Sequence, residues 1–295
     1  MAAPDEHRGI VVAVDGSPSA RVAVDWAART AGLRGVDLTL VHVLASPVAM
    51  TFPETPMPPG YAQWQEEQGR EFVQSGVDLV DEIEADARPT RVRGEIVTGS
   101  VIPTLVEMSK KATMLVAGSR GHGWLRRRLL GSVSSGLLHH AQCPVAVIHD
   151  EDMPAPNPAT APVVVGVDGS PVSDAAVALA FEEASFRRVP LVAVNAWTEM
   201  TPDLVPGLDF PAMAAEAERV LAEQLAGWQE SYPDVEVRRV VVPGRPADRL
   251  LEQAESAQLL VLGSHGRGGF TGMLLGSVSA AVVQSAQTPV VVVRR

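Results

Sequence analysis

Two segments of this chain combine glycines and serines at a spacing suited to holding an anion. GSRGHGWLRRRLLGSVS, from Gly118 to Ser134, recurs as GSHGRGGFTGMLLGSVS, from Gly263 to Ser279, so the pattern G-x-x-G-x9-G-S stands twice. Gly118, Gly121, Gly131 and Ser132 fill it first; Gly263, Gly266, Gly276 and Ser277 fill it again. Each copy follows a β-branched apolar run, Thr113 to Ala117 or Leu259 to Leu262, and precedes a helix-like stretch that begins at Gly131 or Gly276. That order reads as strand, glycine loop and helix N-terminus. Bare amides in the loop, with the unpaired N–H groups and positive dipole end of the helix, can take a phosphate chain. Ser119, Arg120 and Val133 in the first copy, and Ser264, His265 and Val278 in the second, lie inside the same pattern. Ser132 and Ser277 stand where a hydroxyl either caps the helix or reaches a phosphate oxygen, with Ser134 and Ser279 further in.

A second repeated element carries an acid. Ile10-VVAVDGSPSA aligns with Val163-VVGVDGSPVS, which places Asp15 and Gly16 on Asp168 and Gly169. Asp-Gly is a common turn pair, so either aspartate can close an Asx-turn; its recurrence beside the same loop in both halves favours contact with a ligand. Arg126, Arg127 and Arg128 sit within the first loop near Arg120, where they can clamp phosphates or form a solvated charged run. The second loop has only His265 and Arg267 to answer them. His122, His139, His140 and His265 lack metal-ligand or acid–base spacing and read as surface or helix-end residues, so neither a protein-held metal nor a catalytic group is expected. Cys143 is the only cysteine; it excludes an intramolecular disulfide and reads as a small buried residue before a strand, since Thr288 stands at the repeat position.

These residues need a scaffold that places strand ends together. Gly9 to Val14 is a strand, and Ser17-Pro18 then starts a helix that runs to about Gly32. Leu38 to Leu44 is a second strand; a proline-containing loop leads to a long helix with Phe72, Gly76, Leu79, Val80 and Ile83 on one face. Arg91 to Val97, Met114 to Ala117 and Val145 to Ile148 supply three more strands, with helices at Ile102 to Lys111 and from Gly131. Apolar strands alternating with helices imply a doubly wound parallel α/β sheet with ligands outside the carboxyl ends of the strands. If the strand order is 3-2-1-4-5, strands one and four are neighbours and the two motifs share a cleft. The chain is thus expected to hold two tandem Rossmann-like domains, residues 1–150 and 163–295, joined by a proline-rich linker over 151–162.

Composition bounds the partners. The 295 residues carry 35 acidic and 24 basic side chains, a formal charge of −11, which argues against general nucleic-acid or anionic-membrane binding. No apolar stretch has the length of a membrane span, and MAAPDEHRG does not read as a secretory signal, so a cytoplasmic protein is expected. Walker, nucleophile-elbow and adenylate-transfer signatures are absent, leaving a slow hydrolase or phosphotransferase acting on the bound phosphate compound as the enzymatic alternative. A ligand-free scaffold acting through the apolar last strands, Val145 to Ile148 and Val290 to Val293, is a further alternative.

V-D-G-S-P after strand one, with the glycine loop after strand four, resembles the universal stress protein family, in its tandem, ATP-binding, actinobacterial form, over nearly the whole chain. The resemblance implies one ATP per domain, with Mg²⁺ arriving on the phosphates. It places Asp15 and Asp168 by the adenosine, and the backbone of Val43 and Ala196, each following a strand-two His or Asn, at the adenine. It further implies a nucleotide-dependent regulator of stress response or growth that acts through an unidentified protein partner, and a homodimer is expected.

Overall fold

The computed structural model describes residues 9–45, 59–119, 130–149, 159–197, 210–266 and 275–294. The chain divides into two compact units between Glu151 and Asp152. In the first unit, β1 (Ile10–Ala13), β2 (Leu38–Ala45), β3 (Val92–Gly99), β4 (Met114–Gly118) and β5 (Val145–Ile148) alternate with α1 (Pro18–Arg34), α2 (Tyr61–Asp81), α3 (Val101–Ser109) and α4 (Ser132–His140). Every neighbouring pair is parallel and the order is β3-β2-β1-β4-β5. The second unit repeats the plan with β6 (Val163–Gly166), α5 (Pro171–Arg187), β7 (Leu191–Trp197), α6 (Phe210–Ser231), β8 (Val237–Pro243), α7 (Pro246–Ala254), β9 (Leu259–Gly263), α8 (Ser277–Ser285) and β10 (Val290–Val293). Its strands are parallel in the order β8-β7-β6-β9-β10.

The central strands are short and β-branched because both of their faces are covered. Ile10, Val11, Val12, Val163, Val164 and Val165 have no solvent exposure, and β5 and β10 are buried throughout. In each unit the order reverses beside the first strand, which has the second strand on one side and the fourth on the other. Right-handed crossovers then put helices on both faces and leave a crevice at the carboxyl ends of β1 and β4, and of β6 and β9.

The helix ends show how local chemistry sets the frame. Ser17 and Ser170 cap α1 and α5, their hydroxyls accepting from Ala20 N and Ser173 N at 3.2 Å, with proline at the first helical position. α1 runs past Gly32 to Arg34 and stops at Gly35, whose φ of 63° satisfies the left-handed cap. Gly32 serves a different end: a Cβ there would lie 2.0 Å from Ala87 O, so the glycine admits the backbone after α2 against the helix. α2 buries Gly69, Val73, Gly76 and Val80. Phe72 is only half-buried, Ile83 lies beyond the last turn, and the helix face is rotated from that expected.

Candidate functional site

The crevice of each unit is built on the residue after its first strand. Asp15 Oδ1 accepts from Ser17 N at 3.0 Å and from Ser17 Oγ at 2.5 Å. Asp168 Oδ1 accepts from Ser170 N at 3.0 Å. Both aspartates therefore close an Asx-turn, the alternative that Asp-Gly allowed, and that turn fixes each half-exposed carboxylate at the mouth of the crevice. Gly16 and Gly169 follow at φ 78° and 80°, which keeps the turn tight.

The glycine loop leaves the neighbouring strand through a joint made the same way in both units. Ser119 N donates to Ile148 O at 2.7 Å, and Ser119 O accepts from Gly131 N at 2.7 Å; Ser264 bonds Val293 O at 2.8 Å and Gly276 N at 2.7 Å. Ser134 Oγ donates to Gly118 O at 2.6 Å, and Ser279 Oγ to Gly263 O at 2.7 Å. The amides of Ser119, Gly131, Ser264 and Gly276 are thus spent on the joint, and the buried hydroxyls of Ser134 and Ser279 hold the helix to the strand end. These serines position the loop, a role the spacing alone did not separate from ligand contact.

What remains open is the helix entrance. Gly131 and Gly276 occupy the cap positions, with φ −63° and −72°, and no side chain caps either helix. Ser132 and Ser277 are the first helical residues, so the capping alternative for their hydroxyls falls away; both are exposed. The first turn leaves the N–H groups of Ser132, Val133 and Ser134, and of Ser277, Val278 and Ser279, without intrahelical acceptors. Each entrance offers three amides, a hydroxyl and the positive end of the helix dipole.

Strand β2 supplies a third wall. Backbone groups alternate sides along a strand, and Leu38 N donates to Arg91 O on the β3 side while Val41 O accepts from Val14 N on the β1 side. Val43 therefore faces β1, whose ladder ends at the pairing of Ala13 with Val41, and directs its N–H and C=O past that end. The same alternation in the second unit, from Leu191 N on Glu236 O and Val167 N on Val194 O, turns Ala196 toward the end of β6. Between wall and turn stand two residues whose contribution the sequence reading passed over. His42 Nδ1 lies 2.7 Å from Val14 O and Asn195 Nδ2 donates to Val167 O at 2.9 Å. A carbonyl only accepts, so Nδ1 of His42 carries the proton. The signal available was the shared offset of His42 and Asn195 from their aspartates.

The walls meet closely. A Cβ on Gly118 would lie 2.7 Å from Ser19 Oγ and 2.9 Å from Ser19 O, and one on Gly266 would lie 2.4 Å from Asp168 Oδ2. Glycine at these places lets the end of β4 abut the first turn of α1 and lets the second loop abut its carboxylate. Asp15, Gly16, Val43, Gly118, Ser119 and the start of α4 are gathered at one crevice, as are Asp168, Gly169, Ala196, Gly263 to Gly266 and the start of α8. His265 Nδ1 is 2.9 Å from Ser264 Oγ. Arg120, Gly121, Arg126, Arg127, Arg128 and Arg267 lie outside the described residues, as does His122. Among the described residues no three His, Cys, Asp or Glu side chains come together as a metal site. His139 and His140 have ring centroids 6.3 Å apart.

The fold is found in known proteins. A model described as the universal stress protein family matches residues 6–149 and again 160–294. The chain belongs to the universal stress protein family. It is 52% identical over 294 residues to universal stress protein Rv2623 of Mycobacterium tuberculosis strain H37Rv, covering 100% of this chain and 99% of that one. Universal stress protein Rv2005c of the same strain is also 52% identical, over 295 residues and the whole of both chains. A crystal structure of a universal stress protein from Archaeoglobus fulgidus shares the fold at TM-score 0.68 and 23% identity, covering 97% of this chain and 96% of that one. Two universal stress protein domains in tandem, each a parallel α/β sheet, therefore account for the duplicated motifs. No helix among the described residues is long and apolar enough to cross a membrane.

Proposed function

We propose that this universal stress protein is an ATP-binding regulator with one nucleotide site in each domain. The observation that carries the reading is the helix entrance: glycine holds the cap position of α4 and of α8, so three backbone amides and the Ser132 or Ser277 hydroxyl stay available beside a fixed carboxylate. A donor set of backbone N–H groups on a helix dipole fits a polyphosphate, and Asp15 or Asp168 fits hydroxyl donors of a ribose. The backbone N–H and C=O of Val43 and Ala196 match the donor and acceptor edge of adenine. Mg²⁺ comes with the nucleotide, held mainly by its phosphates. The sequence carries no Walker, nucleophile-elbow or adenylate-transfer signature, and we read occupancy as the output. The loaded protein presents a different surface to a protein partner, works in the cytoplasm and assembles as a homodimer, and ATP must bind its conformations unequally for that output to exist.

The direct test is to denature freshly purified protein and quantify the released nucleotide per chain by chromatography and mass spectrometry. One nucleotide per intact motif is expected, with Asp15→Ala and Asp168→Ala each removing one and the double variant carrying none while keeping its circular dichroism. Undiminished nucleotide in the double variant removes the site assignment. An empty protein that a null Mg-ATP titration confirms leaves the scaffold alternative.

A further inference from the structure

The two acid-bearing turns are chemically alike and supported differently. In the first domain, a Cβ on Gly16 would lie 2.3, 2.4 and 2.9 Å from three ring carbons of Phe72, so the α2 ring rests flat against the turn that holds Asp15. The same ring meets His42 edge-on, with centroids 5.3 Å apart and planes at 69°. His42 in turn holds Val14 O, the carbonyl just before Asp15, and Gly69 of α2 leaves room for its ring. Helix α2, strand β2 and the turn are thereby locked through one aromatic contact. In the second domain Asn195 keeps the hydrogen bond to Val167 O, while Asp168 N donates to Ser173 Oγ at 3.2 Å and Gln224 of α6 donates through Nε2 to Asp174 Oδ1 at the start of α5. Trp228 of α6 is engaged with Phe181, at a centroid separation of 6.3 Å.

We propose that Phe72 is a positioning residue for the first nucleotide site. This inference rests on the nucleotide reading above. Phe72 acts through Gly16 and His42 on the Asp15 carboxylate, which the family resemblance puts on the nucleoside side of the ligand. A turn already held needs no ordering when the ligand arrives. Holding roughly one residue of backbone in advance corresponds to about tenfold in affinity.

The test uses the full-length chain in the Asp168→Ala background, where only the first site remains. Titration calorimetry with Mg-ATP and with adenosine, at low and high salt, is compared for Phe72, Phe72→Ala and Phe72→Leu. Phe72→Ala is expected to weaken both ligands by about tenfold with the salt dependence unchanged, and Phe72→Leu, which refills part of the contact, to recover most of the loss. A fold-wide effect would lower the melting temperature without this equal loss for nucleoside and nucleotide. Should Phe72→Ala not fold, Phe72→Leu carries the comparison with a smaller weakening of the same kind. Unchanged affinity in the folded variants overturns the inference. Binding that survives Asp15→Ala with Asp168→Ala overturns the site reading instead, so the two failures are told apart.

Discussion

Gly266 has no side chain because the Asp168 carboxylate occupies the space one would need, at 2.4 Å from an ideal Cβ. The carboxylate tip can swing, so Gly266→Ala should cost the fold little and the second site much. In an Asp15→Ala background, Mg-ATP affinity is expected to fall by about tenfold while the unfolding free energy from urea melts stays within about 0.5 kcal/mol of the parent. Loss of stability in place of affinity would show that Gly266 serves packing. Cys143 presents the opposite case, a reactive group type made inert. Burial raises its thiol from 9.0 to about 12, the dominant cause being the cost of placing a thiolate away from water. Between those values the unfolded chain binds fewer protons than the folded one, so stability falls as pH rises from about 9 toward 12 and the thiol adds no pH dependence below. Cys143→Thr, the residue at the repeat position, should flatten that part of the stability curve in urea melts, and iodoacetamide should label Cys143 only after unfolding.

At the scale of elements, what could be read in advance was whatever repeats or alternates. The strands, their order and the strand–loop–helix grammar follow from apolar runs and from two copies of one motif, and Val145 to Ile148 has the bounds expected of it. What escaped depends on partners distant in sequence. Gly32 reads as a helix stop, yet Ala87 O decides that it is a contact; Phe72 reads as core, yet Gly16 draws it to the crevice; Ser132 reads as a cap, yet the bond from Gly131 N to Ser119 O moves the cap back by one residue. The helix ends also carry an asymmetry with a measurable price. Gly35 closes α1 in the left-handed region, and Arg188 closes α5 there with φ 56°. Arg188→Gly relieves the Cβ–carbonyl crowding and gives back part of the gain as unfolded-chain entropy, a net stabilisation of about 0.5 to 1 kcal/mol in chemical denaturation. No gain, or a loss, would mean that the arginine side chain makes compensating contacts.

For the molecule as a whole, duplication separates what the architecture requires from what each copy is free to alter. The acid-bearing turn, the serine joint and the glycine cap are the same in both domains; the support of the turn, the strand-two hydrogen-bond donor and the loop side chains differ. The joint itself explains why the loops can diverge. Hydrogen bonds from Gly131 N to Ser119 O and from Ser134 Oγ to Gly118 O, like those from Gly276 N to Ser264 O and from Ser279 Oγ to Gly263 O, fasten the exit of each loop to its entrance. These bonds lie between residues that flank 120–130 and 265–275. The registration of strand and helix is thereby set outside RGHGWLRRRLL and HGRGGFTGMLL, and a substitution in either leaves the bonds that set it in place.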